Sequence, residues 1–305
     1  MNNRVLITGG TGFIGGSLIQ KFLADSISVH VLSRHIPISK YGEKYFHWDV
    51  KSGYADRAAF ENVDAVIHLA GANVASKRWS STAKSEILES RTNSTKLLYD
   101  TFKTLGYMPN CYITASGVGI YESNNKKACE EDAPQGHSFL ATVSQAWEQA
   151  ARPFEEAGVR CCYLRTGMVL GNNGGALERM VMPVKYGISP ILGIGHQYIS
   201  WIHINDLHNI YIRCAKNATL AGVYNAVAPN PVTHYEFMLS LTRKVNKYAL
   251  KVYIPTAIVK ILLGEMSDIV LESNNISCKK ILETGFEFRH RTLESALEEI
   301  YINQK

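Results

Sequence analysis

The sequence predicts an α/β fold, a doubly wound parallel sheet with a smaller C-terminal lobe. Three observations predict it: strand-like and helix-like segments alternate through the first half, a glycine-rich turn separates the first strand from the first helix, and the alternation stops near residue 171. Strands separated by helices form parallel βαβ units. We expect residues 1–170 to form the sheet domain and 171–305 mainly the substrate lobe, with a segment at about 200–230 returning to the sheet.

Each element of the first half has its own signal. Short apolar runs predict buried strands, and apolar residues at helical spacing predict amphipathic helices. The predicted strands are residues 5–8, 28–33, 44–48, 64–69, 111–114 and 160–165. The predicted helices are residues 13–24, 81–103 and 138–156. Because glycine and proline punctuate residues 172–195, we expect that stretch to be mostly loop.

Composition excludes several classes of function. The 32 basic and 27 acidic residues leave a net charge of +5 without a run of five basic residues, so no nucleic-acid footprint is indicated. The apolar stretch at 254–264 is interrupted and too short to span a membrane. The six cysteines have no CxxC spacing, so we expect no metal site and reduced thiols. These features, with no signal peptide at the N-terminus, favour a cytoplasmic protein.

A glycine-rich loop follows the first predicted strand and opens the first helix. Its glycines suit a tight turn, close approach of the backbone to a pyrophosphate, and close packing of helix on sheet. The start of the helix then presents unpaired N–H groups to the phosphates. We expect cofactor contacts along this loop from Gly9, Thr11, Gly12, Phe13, Ile14 and Gly15.

The end of the second predicted strand selects between the two nicotinamide dinucleotides. An NAD site usually places an acidic residue there, to bind the ribose hydroxyls. This chain has Ser33 and Arg34 instead, and a guanidinium pairs with a 2′-phosphate. The sequence therefore favours NADP over NAD. Asp49, after the next strand, either meets the adenine edge or lies in a surface turn.

Motifs along nearly the whole chain resemble the extended short-chain dehydrogenase/reductases, the NAD-dependent epimerase/dehydratase superfamily with its Rossmann fold. They are TGGTGFIG (8–15), DAVIHLAG (64–71), ITASGVGIY (113–121), LRTGMVLG (164–171), SWIHINDL (200–207) and GVYNAVAPNPV (222–232). More specific likenesses point to the atypical branch called the epimerase family, whose members are taken to be sugar-nucleotide epimerases. They are KRWS…SRTNST (77–95), the pair Trp147 and Glu148, and GGAL (174–177). Some members also carry the label of cell-division inhibitor homologue, which no residue here supports.

The resemblance implies further cofactor contacts, which lie at strand ends or on the long second helix: Leu69, Ala70, Gly71, Glu86, Arg91, Thr114, Ala115, Arg165, Thr166, Gly167 and Met168. A plain solvated helix face is the alternative for Glu86 and Arg91. Arg165 contacts either the cofactor or the rest of the protein. Many relatives pair through two helices, so a homodimer through 81–103 and 138–156 is one option, and the oligomeric state stays open.

The reaction centre of that superfamily is incomplete in this chain. It needs a tyrosine and a lysine four residues apart on one helix face, so that the lysine lowers the tyrosine pKa. When Glu148 is aligned with the usual glutamate of that helix, Leu140 and Ser144 stand where the pair belongs. A YxxxK motif does occur at 99–103, but it precedes the strand that ends near Ser116 and lies on the wrong helix.

Other residues are candidates to replace the missing pair. Ser116, at the end of the fifth strand, is positioned to orient a substrate carbonyl. Tyr121 either offers its phenol to the substrate or packs in the pocket wall. For five further polar residues a structural role is the better interpretation: a solvated loop for Glu130, Glu131 and Asp132, a cap or surface position for His137, and a core position for His203. We expect Asp206 to cap the helix that follows it.

Three functions remain open on the sequence. The first is an NADP-dependent epimerase or oxidoreductase acting on a sugar nucleotide or a small carbonyl compound. The second is an NADP(H)-binding sensor without turnover, and the third is an interaction module that does not need the nucleotide. The retained loop and substrate-lobe motifs favour the first, and the missing tyrosine and lysine weaken it, because hydride transfer needs a proton carrier.

Overall fold

A computed structural model confirms the α/β architecture. It describes residues 4–172 and 174–302, with the backbone alone at 124–126. The strands are β1 (Arg4–Thr8), β2 (Ser28–Ser33), β3 (Lys44–Asp49), β4 (Tyr54–Ala55), β5 (Ala65–His68), β6 (Cys111–Gly117), β7 (Asn124–Cys129), β8 (Arg160–Thr166), β9 (Met168–Leu170), β10 (Ile188–Leu192), β11 (Tyr198–Ile199), β12 (Trp201–His203), β13 (Gly222–Ala226), β14 (Val232–Thr233), β15 (Leu250–Ile254) and β16 (Asn274–Ile276). The helices are α1 (Phe13–Ala24), α2 (Ser81–Leu105), α3 (Phe139–Ala150), α4 (Arg152–Glu156), α5 (Gly175–Lys185), α6 (Ile204–Lys216), α7 (His234–Val245), α8 (Thr256–Leu263), α9 (Asp268–Leu271), α10 (Lys279–Glu283) and α11 (Leu293–Ile302).

The central sheet has the strand order β13-β8-β6-β5-β1-β2-β3-β4. All neighbours in it are parallel except β3 and β4. From β1 the chain first builds outward through β2 to β4 and then returns to the other side of β1 with β5. The order therefore reverses between β1 and β5, and such a switch point opens a crevice at the carboxyl ends of the strands, where ligands bind.

Strand β1 is buried on both faces, which explains its unbroken apolar run. Val5 and Ile7 pack into the core on the side of α1 and α6, and Leu6 packs into the core on the side of α2 and α4. Alternate side chains of a strand point to opposite faces, so a strand covered by helices on both sides needs apolar residues at every position. This arrangement fixes Thr8 and the loop after it at the switch point.

The region 172–195 corrects our expectation that it is mostly loop. It holds helix α5 and strand β10, separated by a short turn. Leu177, Val181 and Val184 are buried in a third core cluster, against α7 and α11. Their spacing of four and three residues is helical, and it outweighs the glycines before the helix and Pro183 near its end.

Two helix boundaries also differ from the predicted ones. The single helix expected at 138–156 is two helices, because the chain breaks at Ala151 and restarts with Pro153 in the first turn of α4. Helix α2 continues to Leu105 and ends at Gly106, which has the left-handed φ of +79° typical of a helix end.

The C-terminal part contributes to both lobes. Strand β13 lies beside β8 in the central sheet, whereas α5, α7 and α11 enclose the third core cluster. Two-stranded sheets, among them β10 with β15 and β9 with β12, connect these helices. Among the helices of the described residues, none has the length and apolar character that crossing a membrane requires.

Candidate nucleotide and active site

The glycine loop is built for close approach. Gly9 has a φ of +71°, and a Cβ there would lie 2.8 Å from the carbonyl carbon of Leu69. A Cβ on Gly15 would lie 2.4 Å from the Gly9 carbonyl oxygen, so α1 packs directly under the loop. Gly12 is the N-cap of α1 and supplies no side chain to it, which leaves the first N–H groups of the helix to a ligand. The cradle fits a pyrophosphate.

The loop residues differ in exposure in the way a phosphate site requires. Thr11 and Gly12 are exposed, Phe13 and Ile14 are half-buried, and Gly15 is buried. The ring of Phe13 packs on the far side against the start of α5, where Cβ atoms on Gly174 and Gly175 would lie 2.7 and 3.1 Å from it. The loop therefore contacts the C-terminal part of the chain directly.

A buried histidine ties the neighbouring loop to β1, and sequence reasoning missed it. His68 Nδ1 lies 2.6 Å from the Thr8 hydroxyl, which accepts the Ala70 N–H at 3.2 Å. His68 Nε2 lies 3.0 Å from the Ser94 hydroxyl. Burial, with the nearby Arg91, lowers the pKa of His68 to about 3, so the ring is neutral. The chain of bonds fixes Leu69 and Ala70, both half-buried, beside the glycine loop.

The end of β2 presents a free cation. Ser33 is buried, and its hydroxyl donates to the His35 carbonyl oxygen at 2.6 Å. Arg34 is exposed, and no described residue forms an ion pair with its guanidinium. Asp49 accepts the Lys51 N–H at 3.0 Å, which matches the surface turn, one of its two interpretations.

Glu86 and Arg91 have partners other than those the resemblance implies. The Glu86 carboxylate is exposed and lies 3.4 Å from Lys77 Nζ. The Arg91 guanidinium stacks 4.9 Å from the Trp147 ring and donates to the Ala72 carbonyl oxygen at 3.0 Å. A Cβ on Gly71 would lie 2.9 Å from its Cζ. In this structure Arg91 supports the loop at 71–72.

The remaining predicted cofactor positions lie at the edge of the sheet that carries the glycine loop. They lie in or just after the carboxyl-terminal halves of β6 and β8, which run parallel to β1. Thr114 is fully buried and donates to the Ala115 carbonyl oxygen. The other positions are half-buried: Ala115, Thr166, Gly167 and Met168.

A closed polar network occupies the interior behind that edge. The Ser116 hydroxyl donates to Glu148 Oε1 at 2.7 Å, and Arg165 donates to both oxygens of the same carboxylate at 2.9 and 2.8 Å. Arg165 also donates to the Tyr121 hydroxyl at 2.8 Å, and that hydroxyl donates to Asn225 Oδ1 at 2.7 Å. Every group in the network is bonded to another one, as buried polar groups require.

The network bears on three of the predicted roles. Ser116 is 6% exposed and Tyr121 is 2% exposed, so both side chains are buried with their hydroxyls bonded inside the protein, and for Tyr121 this matches packing in the pocket wall, one of its two interpretations. Burial also raises the pKa of Tyr121 to about 12, although Arg165 lowers it. The Arg165 guanidinium makes four hydrogen bonds inside the protein, which matches the structural role, one of its two interpretations.

Two glycines, Gly117 and Gly119, lie next to the place of the missing tyrosine and lysine. A Cβ on Gly117 would lie 3.5 Å from the Ser144 hydroxyl oxygen, and one on Gly119 would lie 3.2 Å from Leu140 Cβ. Leu140 and Ser144 therefore do occupy this position beside the end of β6. Tyr99 lies elsewhere, with its ring edge-to-face on Phe154.

The polar residues outside the network take structural positions. Glu131 accepts the Asn225 N–H at 2.7 Å, and Glu130 lies 3.7 Å from Lys279 Nζ. Asp132 and His137 are exposed. His203 is buried as expected, and it is the N-cap of α6, where Nδ1 accepts the Asn205 N–H at 3.2 Å.

Asp206 does not cap the helix that follows it. Helix α6 begins at Ile204, so Asp206 already lies in its first turn. Its carboxylate accepts the N–H groups of Arg289 and His290, both at 2.9 Å. The same motif therefore anchors the C-terminal segment to α6, a contact across more than eighty residues that local spacing does not reveal.

A cavity of about 560 Å³ adjoins the tip of the glycine loop. Thr11, Gly12 and Phe13 line one side of it, and His203 and Glu299 line another. His203, His290 and Glu299 have donor atoms within 4.8 Å of one another. His203 Nδ1 accepts the Asn205 N–H, and the Glu299 carboxylate accepts from Asn205 at 3.0 Å and pairs with Arg289 at 3.1 Å. His290 Nε2 lies 2.8 Å from the same carboxylate.

A glycine cradle at the switch point of a parallel sheet, with a helix start left uncapped, defines a dinucleotide-binding protein of the short-chain dehydrogenase/reductase type. The chain belongs to the NAD dependent epimerase/dehydratase family, which matches residues 5–226. Residues 254–300 match a domain of unknown function, DUF1731. This pair of matches confirms the branch that the motifs indicate.

Known relatives span the whole chain. Epimerase family protein SA0724 of Staphylococcus aureus is 36% identical over 97% of this chain and 98% of its own length. A crystal structure of human epimerase family protein SDR39U1 (isoform 2) with NADPH is 32% identical, with a TM-score of 0.87 over 98% of this chain and 99% of that one. The nucleoside-diphosphate sugar epimerase of Corynebacterium glutamicum is 27% identical, with a TM-score of 0.78 over 98% of this chain and 58% of that one. These matches support a nucleotide cofactor.

Proposed function

We propose that this chain is an NADP(H)-dependent enzyme of the epimerase or oxidoreductase type. The observation that carries the proposal is the exposed, unpaired Arg34 at the end of β2, beside a cradle shaped for pyrophosphate. A 2′-phosphate on the adenosine ribose would give this guanidinium a charge-assisted partner, whereas the plain ribose of NAD would not. The similar human protein was crystallised with NADPH, which agrees with this preference.

The substrate that we propose is a sugar nucleotide or a small carbonyl compound. The relative from Corynebacterium glutamicum is described as a nucleoside-diphosphate sugar epimerase, which favours the first class. The bound nicotinamide would supply or accept the hydride. The chain has to supply the proton and hold the substrate, and we propose that it does so in the cytoplasm, with pairing of two copies as an option.

Nucleotide titration tests this proposal. The purified full-length protein is first analysed by mass spectrometry for a co-purifying nucleotide and then titrated with NADPH and NADH by fluorescence. We expect NADPH to bind at least tenfold more tightly than NADH. A preference for NADH would contradict the role of Arg34, and binding of neither nucleotide would end the proposal.

A second function is favoured by one specific observation. Gly117, Leu140 and Ser144 leave no acid or base at the place of the usual tyrosine and lysine. A protein that binds NADP(H) and senses its redox state, without turnover, would need none. The two functions differ in a screen of carbonyl compounds and sugar nucleotides, read by absorbance of the nicotinamide and by product analysis, since an epimerase returns its hydride.

A further inference from the structure

One half-buried carboxyl group near the candidate active site forms no ion pair with any described residue. Glu272 follows α9 directly and is half-buried. Its carboxylate lies near the hydroxyl of Ser138, which is the N-cap of α3. Leu140, at the place of the missing tyrosine, is two residues further along the same helix, so Glu272 lies within about one helical turn of that place.

The segment that carries Glu272 is fixed to the loop after β6. The Ser273 N–H donates to the Ser123 hydroxyl at 2.9 Å, and the Ser273 hydroxyl accepts the Tyr198 N–H at 2.9 Å. On the side of α3, Ile269 and Leu140 pack against one apolar cluster. Glu272 is thus held between the loop that continues the active-site strand and the start of the active-site helix.

The other acidic groups near the end of β6 are either exposed, as Glu122 and Asp132 are, or bound to a partner. Glu148 is bound by Arg165 and Ser116, Glu131 accepts a backbone N–H, and Glu130 pairs with Lys279. Among the described residues, none forms an ion pair with Glu272. Burial and the like charge of Asp268 raise its pKa, and Ser138 only partly offsets them. Such a carboxyl keeps its proton closer to neutral pH than an exposed one.

We propose that Glu272 is the acid–base residue of this active site, in place of the tyrosine that the chain lacks. This rests on the proposed enzymatic function. When a carbonyl is reduced by the hydride of NADPH, the Glu272 carboxyl gives its proton to the carbonyl oxygen, leaving an alcohol and a carboxylate that water reprotonates. In the oxidative direction the Glu272 carboxylate takes the proton from the substrate hydroxyl as NADP⁺ accepts the hydride.

Two measurements on the full-length protein test the proposal. In ¹³C NMR of the carboxyl carbons, we expect one carboxyl that titrates above the ordinary range, is absent in Glu272→Gln and shifts down in Asp268→Asn. In a panel of aldehydes, diketones, quinones and sugar nucleotides with NADPH, we expect Glu272→Gln to lose roughly 100-fold or more in kcat, the scale of general acid catalysis. The Kd of NADPH stays unchanged.

The controls separate the possible failures. Glu265, on the turn that precedes α9, has an exposed carboxylate that pairs with Lys84. We expect the control variant Glu265→Gln to keep the activity of the parent protein. Glutamine has the shape of glutamate without its charge, so Glu272→Gln should fold, which thermal melting checks. Turnover of Glu272→Gln within threefold of the parent overturns the proposal, as does a protein that binds NADPH and converts no compound of the panel, by nicotinamide absorbance or by product analysis. Absence of NADPH binding overturns the proposed function itself.

Discussion

At the scale of single residues, the structure separates hydroxyl groups that look alike in the sequence. Ser116 stands at the end of the active-site strand, where a serine is expected to meet the substrate. Its hydroxyl instead donates a hydrogen bond to the Glu148 carboxylate, which also accepts from Arg165. A buried carboxylate and guanidinium are stable only when their remaining hydrogen bonds are made, so we expect the serine to support that pair.

Removing that serine should affect stability and not turnover. We expect Ser116→Ala to lower the free energy of unfolding by about 1 kcal/mol, the net value of one hydrogen bond. Its effect on kcat and on the Kd of NADPH should stay within threefold. Urea unfolding and steady-state kinetics measure both. A hundredfold loss of kcat in a folded Ser116→Ala variant would restore Ser116 to the catalytic centre.

Breaking the ion pair is a larger change. Arg165→Met leaves the Glu148 carboxylate in the interior without its cation, and such a loss costs about 3–5 kcal/mol. Urea unfolding measures this cost. Lys216→Met is the matched control, because its ion pair with Asp25 is exposed and is worth at most about 1 kcal/mol. Equal effects of the two substitutions would contradict the structural role of the buried pair.

The charge at the end of β2 can be tested by reversal. We expect Arg34→Glu to weaken NADPH binding by roughly 10- to 100-fold, because one charge-assisted hydrogen bond is worth about 1.5–3 kcal/mol. NADH binding should hold or improve, since a carboxylate accepts from ribose hydroxyls. Arg152→Glu, an exposed change of the same charge on α4, is the control. If both variants lose NADPH affinity equally, net charge and not Arg34 is responsible.

At the scale of elements, the sequence predicts those structures that residues close together in the chain determine. The glycine loop and the first strand were predictable because spacing within about thirty residues fixes them. The network of Ser116, Tyr121, Glu148, Arg165 and Asn225 was not, because its members come from four segments that only the fold brings together. Helix α5 differs from the prediction for another reason. The spacing of its buried residues is helical, but the flanking glycines and the proline are typical of a loop.

Two neighbouring glycines of α1 offer a matched test of the loop. A Cβ on Gly15 would meet the Gly9 carbonyl oxygen at 2.4 Å, whereas one on Gly16 would lie 3.6 Å from the Gly10 carbonyl oxygen. We therefore expect Gly15→Ala to abolish measurable NADPH binding by displacing the loop. Gly16→Ala should bind normally and gain up to about 1 kcal/mol in stability from helix propensity. Isothermal titration and thermal melting distinguish the two.

At the scale of the whole molecule, buried neutral histidines make the fold sensitive to acid. Burial lowers the pKa of His68 and His203 to about 3 and that of His208 and His234 to about 4. An unfolded histidine takes up its proton near pH 6.5, and the folded one does so only at the lower value. The unfolded state therefore binds more protons as the pH falls, and the stability present above pH 6.5 is lost progressively toward pH 3–4.

The histidine that holds the loop at 69–70 provides the test. Urea unfolding of the parent protein at pH 7.5 and pH 5 should show lower stability at pH 5. His68→Gln, whose side chain does not titrate, should lose less between the two values, although it is less stable at pH 7.5. His35 is exposed, so His35→Gln should change neither the stability at pH 7.5 nor the loss of stability between pH 7.5 and pH 5. A pH dependence identical in the parent and in His68→Gln would contradict the neutral, buried state of this ring.

The contact of Phe13 with Gly174 and Gly175 limits how the protein can diversify. The first residue of the phosphate-binding helix rests on the start of the substrate lobe, with no room for a Cβ. A side chain added at either glycine would press on the loop that holds the nucleotide. Any substitution at these two glycines is therefore coupled to the shape of the glycine loop, although both lie more than 150 residues away from it in the sequence.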